Sequence, residues 1–567
     1  MKKFPEIQYT RPDLVRFEEH HTKQLQDLKN ASTLEEAINI VVDINNNRRI
    51  LDTQFELVAI RHSIDTSDEF YDAEQKYSDS VSPHLQSLRF QFYETLVQSK
   101  FKDGLSDYFG KQLFDLANCR IKSFNNSILE ELGKENSLST QYQKLLSKAK
   151  LEFRGETLNL SGLTPYEQSL DRQTRIDAGK VKWGYYSDNQ EEFDTIYDEL
   201  VKTRNTIAKK LGFDSFVEVG YARMQRTEYT HKEVESFRNN IVKHVVPIAQ
   251  KIIAKQAKRL GLDSLVYTDE LLHFNNGNPT PKGTPDQIVD AATVMYKEMS
   301  PETHEFFTFM KEYELMDLVN KPAKAPGGYC TMLSDEGAPF IFSNFNGTSH
   351  DVDVLTHEIG HAFQAFSSRN HKVPEYFFPT SEACEIHSMS MEFFAWNWME
   401  SFFKEDANKY FYDHLSNALR FIPYGSAVDE FQHHIYNNPS MTPAERHSTW
   451  KAMEAKYLPH RKYTDNEYLE MGGFWQRQAH IYQSPFYYID YVLAQLCALQ
   501  FWIKSQNPAT KDGAWSDYVR LCQAGGSLPF LELVKLAGLD SPFEESTIIS
   551  VVQEAERWLE TIDDSKL

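Results

Sequence analysis

Cysteine, positive charge and long apolar runs are all scarce in this 567-residue chain. Its five cysteines form no CxxC pair, which argues against a disulfide framework or a thiolate zinc knot and favours a reducing compartment. The formal net charge of -22 at pH 7 argues against nucleic acid as a partner, because binding phosphates requires clustered lysine and arginine. No apolar run is long enough to span a membrane, and Met1 is followed by polar residues. We therefore expect no secretory leader, no membrane partner and a cytoplasmic protein.

Strand-like alternation is also rare, whereas signals for helix starts recur along the whole chain. Capping boxes predict helices that begin at Ser32 and Thr230. The signal is stronger at Thr284, Thr442 and Ser541, because each is followed by a proline that suits the first helical position. The chain is therefore expected to be mainly helical throughout.

Two segments, 151–163 and 328–347, show the alternation of strands, the first as a hairpin and the second as one or two strands around a turn. The sequence thus predicts a mostly α fold with a small β-sheet. A chain of this length is expected to form more than one lobe. We place the boundary near residue 190, between an N-terminal helical lobe at 1–190 and a catalytic domain at 191–567.

The segment 351–366, DVDVLTHEIGHAFQAF, combines an apolar helical face with two histidines one turn apart. His357 and His361 point the same way from such a helix, as two ligands of one metal must. Glu358 lies beside the metal instead of on it, where it can accept a proton from water. The pattern therefore predicts a catalytic site with one Zn²⁺ per chain and Glu358 as the general base.

A catalytic zinc needs a third protein ligand, and the next predicted helix, 380–400, offers one. Glu385, Ser388 and Glu392 form one polar stripe among methionine and aromatic residues, where a buried carboxylate requires a positive partner. We predict Glu385 as the metal ligand and Glu392 as an acceptor that orients an imidazole from behind. Glu382, one turn earlier, is the alternative ligand.

These two helices resemble the oligoendopeptidase F and thimet oligopeptidase family of zinc peptidases. The family pattern HExGH followed by ExxSxxxE is matched by HEIGHAFQAF and then by EIHSMSME. The resemblance covers roughly residues 150–560, is most specific at 325–400, and is nearest to bacterial oligoendopeptidases of the Pz-peptidase kind. It implies a clam-like helical body with a deep channel, a zincin core at its floor, and short unfolded peptides as substrates.

The same resemblance implies further groups in the tyrosine-rich segment 480–491, HIYQSPFYYIDY. In the family, a histidine and one or two following tyrosines face the zinc, where they stabilise the oxyanion of the reaction. His480 matches the histidine. Tyr487, Tyr488 and Tyr491 are the candidate tyrosines, and we favour Tyr488 and Tyr491.

The strand-like segment 339–347 offers backbone groups with which an extended peptide substrate could pair. Such pairing would explain a broad tolerance of substrate sequence. We therefore predict Phe342, Asn344 and Gly347 as substrate-binding residues. The alternative is an ordinary internal strand.

Together these predictions describe a zinc-dependent endopeptidase that cuts internal bonds of short peptides. Two alternatives stay open. Another zinc peptidase, such as an aminopeptidase, would need an anchor for the free amine, and no motif for one is recognisable. A non-catalytic helical scaffold with a structural zinc would have four protein ligands and no need of Glu358. The sequence does not define the oligomeric state.

Overall fold

Helices dominate the computed structural model, which describes residues 1–321, 323–325 and 327–567. The predicted mostly α fold with a small sheet is confirmed. The first twelve helices are α1 Leu14–Asn30, α2 Leu34–Ile64, α3 Glu69–Val97, α4 Lys102–Phe109, α5 Lys111–Ser123, α6 Leu129–Ser147, α7 Thr164–Glu167, α8 Arg172–Asp188, α9 Gln190–Lys210, α10 Phe216–Arg223, α11 His231–His244 and α12 Val246–Arg259.

The second half of the chain carries the main sheet between two groups of helices. The helices before the sheet are α13 Pro285–Met299 and α14 Pro301–Glu312. Those after it are α15 His350–Ser368, α16 Ser381–Phe394, α17 Met399–Phe403, α18 Ala407–Asn437, α19 Pro443–Tyr457, α20 Glu467–Met471, α21 Ala479–Gln483, α22 Tyr488–Gln506, α23 Lys511–Ala524, α24 Phe530–Leu536 and α25 Glu545–Glu560.

The helix starts follow the capping signals closely. Thr230, Thr284 and Thr442 each form a complete capping box, and proline occupies the first turn after the last two, as predicted. The prediction at Ser541 is three residues early, because its hydroxyl accepts from the Phe543 N–H in a turn and α25 begins at Glu545.

Both predicted strand segments are confirmed. The first is a hairpin of β1 Leu151–Phe153 and β2 Glu156–Leu158. The main sheet contains β3 Met316–Val319, β4 Tyr329–Leu333 and β5 Ala338–Phe345 in the order β3-β5-β4. β5 is parallel to β3 and antiparallel to β4, so it occupies the centre and β4 presents an edge.

One continuous hydrophobic core runs through the molecule and contains residues from Phe4 to Leu559, on both sides of position 190. Within it, α16 packs against α15 on one side and α22 on the other. Nearly every side chain of α16 is buried, including polar ones. Across the described ranges, no helix is both long and apolar enough to cross a bilayer.

Candidate metal centre and active site

Helices α15 and α16 touch backbone to backbone at Gly360. A Cβ atom at this position would lie 2.6 Å from Ser388 Cα and 2.7 Å from the His387 carbonyl oxygen. Such distances are far below normal carbon contacts, so only glycine allows this crossing. The glycine of HEIGH therefore serves packing, and it brings the histidine-bearing face of α15 against the stripe of polar side chains on α16.

His357, His361 and Glu385 come together at this crossing. The Oε2 atom of Glu385 lies 3.3 Å from His357 Nε2 and 3.5 Å from His361 Nε2, and the three ligand atoms all fall within 4.8 Å of one another. Tetrahedral ligands that each lie about 2.0–2.1 Å from one zinc are separated by about 3.3 Å. The donor set and its spacing therefore fit a single zinc ion.

Hydrogen bonds hold the carboxylate of Glu385 in this position. The Ser388 hydroxyl donates to Oε2 at 2.9 Å, and the Tyr487 hydroxyl donates to Oε1 at 2.7 Å. Burial alone would raise the pKa of Glu385, but His361 and His357 hold it well below its usual range. The group is therefore an anion aimed at the two imidazoles.

A second carboxylate, Glu392, lies behind His357. Its Oε1 atom is 2.7 Å from His357 Nδ1, which leaves Nε2 directed to the metal position. Its Oε2 atom lies 2.8 Å from His414 Nε2. Burial opposes ionisation, but these two histidines lower the pKa of Glu392 to about 2. The orienting role predicted for this residue matches its position.

His414 is a member of the site that sequence reasoning missed. It lies on α18, and the Trp396 indole N–H donates to its Nδ1 at 3.0 Å. Its other nitrogen can therefore donate to Glu392, which completes a chain of hydrogen bonds that ends at the candidate metal ligand His357. Nothing in the local spacing marks His414, because it reaches the site only through the packing of α18 against the core.

Glu358 borders the same cavity but has a different environment. Its side chain is 93% removed from solvent, with 7% exposed, and its Oε2 atom is buried with no hydrogen-bond partner among the described residues. Burial raises the pKa of Glu358, and the neighbouring His357 and His361 oppose that rise. A carboxylate oxygen left free beside the metal position is what a general base requires.

The alternative ligand, Glu382, lies outside this group. It is 1% exposed and accepts a hydrogen bond of 3.1 Å from the Tyr229 hydroxyl. Burial raises the pKa of Glu382, and the positive charge of Arg226 opposes the rise. Its partners belong to a separate buried network that also contains the 2.6 Å ion pair between Arg226 and Asp490.

A cavity of about 290 Å³ opens in front of the metal ligands, and we call it the zinc cavity. Its walls include Gly328, Tyr329 and Cys330 at the start of edge strand β4, together with Tyr487 and Tyr491. A backbone edge, the carboxylate of Glu358 and two tyrosine hydroxyl groups thus face one space.

The choice of Tyr488 as an oxyanion donor has to be corrected. The side chain does not line the zinc cavity, and its ring packs against Phe421 and Tyr424 at centroid distances of 5.6 and 5.8 Å. Tyr487 and Tyr491 are four residues apart at the start of α22, so they share a face, whereas Tyr488 is turned away from it. The wall tyrosines are therefore Tyr487 and Tyr491.

His480 lies behind these tyrosines, with its ring centroid 5.6 Å from Tyr487 and 5.8 Å from Tyr491. The Tyr424 hydroxyl donates to Oε1 of Gln478 at 2.8 Å, so the amide nitrogen of Gln478 faces His480 Nδ1 at 2.9 Å. Burial lowers the pKa of His480. The ring is therefore neutral with the proton on Nε2, which makes it a hydrogen-bond donor.

The substrate-binding role predicted for Phe342 and Asn344 through strand pairing is wrong, because β5 is paired on both sides and cannot accept another strand. Gly347 lies after the end of β5, and its role stays a prediction. Phe342 is fully buried, and the Asn344 amide donates to the carbonyls of Ala325 and Gly327 at 2.8 Å. The N–H of Gly347 donates to Asp351 at 2.8 Å. The free edge next to the zinc cavity belongs to β4 instead.

Comparison with known protein families gives two matches. Residues 4–124 match the peptidase M3 N-terminal domain, and residues 285–552 match peptidase family M3. The second range contains the whole set of metal-ligand candidates as well as the tyrosine wall.

Individual relatives agree with these matches. The solved structure of Pz peptidase A with an inhibitor is 51% identical, with 99% of this chain and 100% of that chain covered and a TM-score of 0.96. A protein provisionally named oligoendopeptidase F from Bacillus anthracis str. Ames is 49% identical, with 100% of both chains covered and a TM-score of 0.93. An oligoendopeptidase F homologue from Mycoplasma pneumoniae is 21% identical over 454 residues, which are 72% of this chain and 69% of that protein.

Proposed function

The chain belongs to peptidase family M3 as a metallo-oligopeptidase of the oligoendopeptidase F kind, and from that premise we propose which residues and which metal cut the peptide bond. Zn²⁺ is held by His357, His361 and Glu385, with Glu358 as the general base. The observation that carries this proposal is the convergence of the three ligand atoms, with Glu385 Oε2 at 3.3 and 3.5 Å from the two imidazole nitrogens, beside a carboxylate oxygen without a partner among the described residues.

The residues behind the ligands fit the same assignment. When bound, zinc supplies a Lewis acid that polarises the scissile carbonyl and lowers the pKa of water. Glu392 fixes the orientation of His357, and Ser388 and Tyr487 fix that of Glu385. The ligands thus need little rearrangement to hold an ion, and zinc is the metal on which family M3 generally depends.

Glu358 moves the protons of the reaction. Its free Oε2 takes a proton from the attacking water, and the same carboxyl group then gives that proton to the leaving amine. Its burial keeps bulk water from competing for this oxygen. The residue is not needed to hold the metal, so its role can be separated experimentally from metal binding.

The oxyanion that forms at the scissile carbonyl needs hydrogen-bond donors. We assign this role to the Tyr491 hydroxyl, which lines the zinc cavity, because the Tyr487 hydroxyl already donates to Glu385. His480, predicted as a second donor, does not line this cavity; it packs behind the two tyrosines and would hold their rings in place. Each such donor contributes roughly 3 kcal/mol to the transition state. The substrate backbone would pair with the free edge of β4 at Gly328–Cys330.

Replacing Tyr491 by phenylalanine is expected to lower kcat about 100-fold with little change in KM, because the lost donor acts on charge that exists only in the transition state. His480→Ala should act in the same direction. Tyr488→Phe, a matched control on the same helix, is expected to stay within about threefold of the parent. Steady-state kinetics on one quenched peptide would test all three variants. Equal losses in Tyr491→Phe and Tyr488→Phe would contradict the assignment.

The type of cleavage tests the function itself. A mass spectrum of the products of a twelve-residue peptide should show internal cleavage, with longer unfolded peptides also cut and a native globular protein spared. Stepwise loss of single residues from the N-terminus would instead favour an aminopeptidase. No cleavage at all, with zinc bound, would favour the structural scaffold.

A further inference from the structure

The two wall tyrosines follow a residue with an unusual backbone conformation. Phe486, directly before Tyr487, has a φ of +68°, in the left-handed region that bulky side chains rarely adopt. Its side chain is fully buried. Such a conformation persists only where the surrounding structure holds it in place. The contacts that hold Phe486 therefore also determine where Tyr487 and the first turn of α22 lie.

Arg226, in the loop between α10 and α11, makes two of the closest contacts to this segment. Its Nη2 atom donates to the Phe486 carbonyl at 2.6 Å and to Asp490 Oδ1 at 2.6 Å. The side chains of Arg226 and Asp490 are both completely buried, where water screens an ion pair little. Asp490 lies between Tyr487 and Tyr491 in the first turn of α22. Arg226 thus holds the chain both before the wall tyrosines and between them.

Two helices hold Phe486 from other sides. Its backbone N–H donates to Gln432 Oε1 of α18 at 3.1 Å. Its ring lies against Gly220 of α10, where a Cβ atom would come within 2.4 Å of the ring carbon Cδ2. Only glycine leaves room for the ring in this place. The position of Phe486 is therefore determined by α10, α18 and Arg226 together.

The loop that carries Arg226 also contacts the helix that carries Glu385. The Tyr229 hydroxyl of this loop donates to Glu382 at 3.1 Å, and Glu382 lies on α16 one turn before Glu385. Across the same helix pair, the Tyr487 hydroxyl donates to Glu385 at 2.7 Å. One loop thus contacts both α16 and α22, the two helices that place Glu385 and the wall tyrosines beside the zinc cavity.

We propose that Arg226 is a positioning residue of the reaction, which sets the wall tyrosines against the zinc cavity through Phe486 and Asp490. This inference rests on the proposed function, since it assumes that Tyr491 acts on the scissile carbonyl. Arg226 does not line the zinc cavity, so its effect on catalysis is indirect. Rates depend steeply on the placement of reacting groups, and a shift of about 1 Å can lower a rate about 100-fold.

Arg226→Lys tests this role and keeps a positive charge beside Asp490. Lysine is shorter and lacks the rigid planar guanidinium, so the wall tyrosines should shift. At saturating zinc, kcat should fall about 10- to 100-fold while KM stays within about threefold of the parent. Gly220→Ala leaves every charge in place and crowds the Phe486 ring, so it should act in the same direction. Steady-state kinetics on one quenched peptide measures both variants.

A matched control distinguishes positioning from a general loss of stability. Arg175 has the same combination of partners, the Ser169 carbonyl at 2.7 Å and the buried carboxylate of Asp269 at 2.8 Å. Its side chain is likewise buried. Arg175→Lys should lower the melting temperature, as Arg226→Lys does, but kcat should stay within about threefold of the parent. Equal losses of kcat in the two variants would mean that Arg226 has only a structural role, and the proposal would be wrong.

A double-mutant cycle identifies the group through which Arg226 acts. In the Tyr491→Phe background, Arg226→Lys should lower kcat by no more than about threefold further, because the donor that it positions is already absent. If the two losses multiply in full, Arg226 acts on something other than Tyr491, which would contradict the proposal.

Zinc affinity, measured by competition with a chelator, tests the position of the wall without turnover. Tyr487→Phe removes a hydrogen bond to Glu385 and should weaken zinc binding about tenfold. Arg226→Lys should weaken it to a similar extent, and the double variant no further. If Tyr491→Phe keeps the kcat of the parent while zinc affinity follows this pattern, the donor assignment in the proposed function is wrong and the positioning by Arg226 is upheld. Zinc affinity lowered by Tyr487→Phe but unchanged in Arg226→Lys would overturn the positioning itself.

Discussion

Replacement of Glu358 by glutamine is expected to lower kcat roughly 10²–10⁴-fold, the range that general acid–base groups contribute, while zinc stays bound. Glutamine has nearly the same shape and fills the same buried space beside His357 and His361, but it cannot accept a proton from water. The effect should fall on kcat, because the proton transfer belongs to the chemical step. KM for a short peptide should change little.

Zinc content measured on the same preparation is the control for this prediction. The variant should retain one zinc per chain, because Glu358 lies outside the ligand set. Its thermal stability should equal or exceed that of the parent, since a neutral amide is less costly to bury than a carboxylate whose pKa burial raises. A kcat within about tenfold of the parent, with zinc present, would exclude Glu358 as the general base.

Replacement of Glu385 by alanine should weaken zinc binding by more than about 100-fold, because loss of an outer hydrogen-bond partner alone typically weakens it 10–100-fold. Activity should disappear at micromolar zinc. The matched variant is Glu382→Ala on the same helix, which removes an equally buried carboxylate from the separate network around Arg226. It is expected to lower stability but to keep zinc.

Metal analysis after dialysis against a zinc buffer distinguishes the two variants of α16. The geometry assigns zinc loss to Glu385→Ala only, since its Oε2 faces both imidazoles while Glu382 faces Tyr229. Zinc loss in Glu382→Ala with zinc retained in Glu385→Ala would mean that the wrong carboxylate was chosen. A melting curve separates loss of metal from loss of fold.

The part of the site that the sequence predicts well is encoded within single helices. His357, Glu358 and His361 follow from the periodicity of one helix, and the polar stripe with Glu385 and Glu392 follows from the next. Their relative placement needed only that two consecutive helices pack together. The sequence also contains the residue that permits this packing, because Gly360, between the two histidines, is where the backbone of α15 contacts α16.

The site residues that were wrongly predicted or missed are those whose position depends on neighbouring residues that local patterns do not distinguish, or on an element distant in the sequence. The preference for Tyr488 over Tyr487 follows the family resemblance, which does not fix which of two adjacent tyrosines at the start of α22 faces the metal position. The central position of β5 depends on β3, a four-residue strand whose sequence is too short to show alternation. His414 reaches Glu392 from α18 only through tertiary packing. Local patterns carry no information about such contacts.

The most direct measurement is cleavage of an internally quenched peptide by the enzyme before chelation, after verified removal of metal, and after addition of one equivalent of Zn²⁺. The geometry of His357, His361 and Glu385 predicts that activity is lost with the metal and returns with zinc, with the same internal fragments before and after. Undiminished cleavage by a preparation shown to contain no metal would contradict the assignment of this chain as a zinc peptidase.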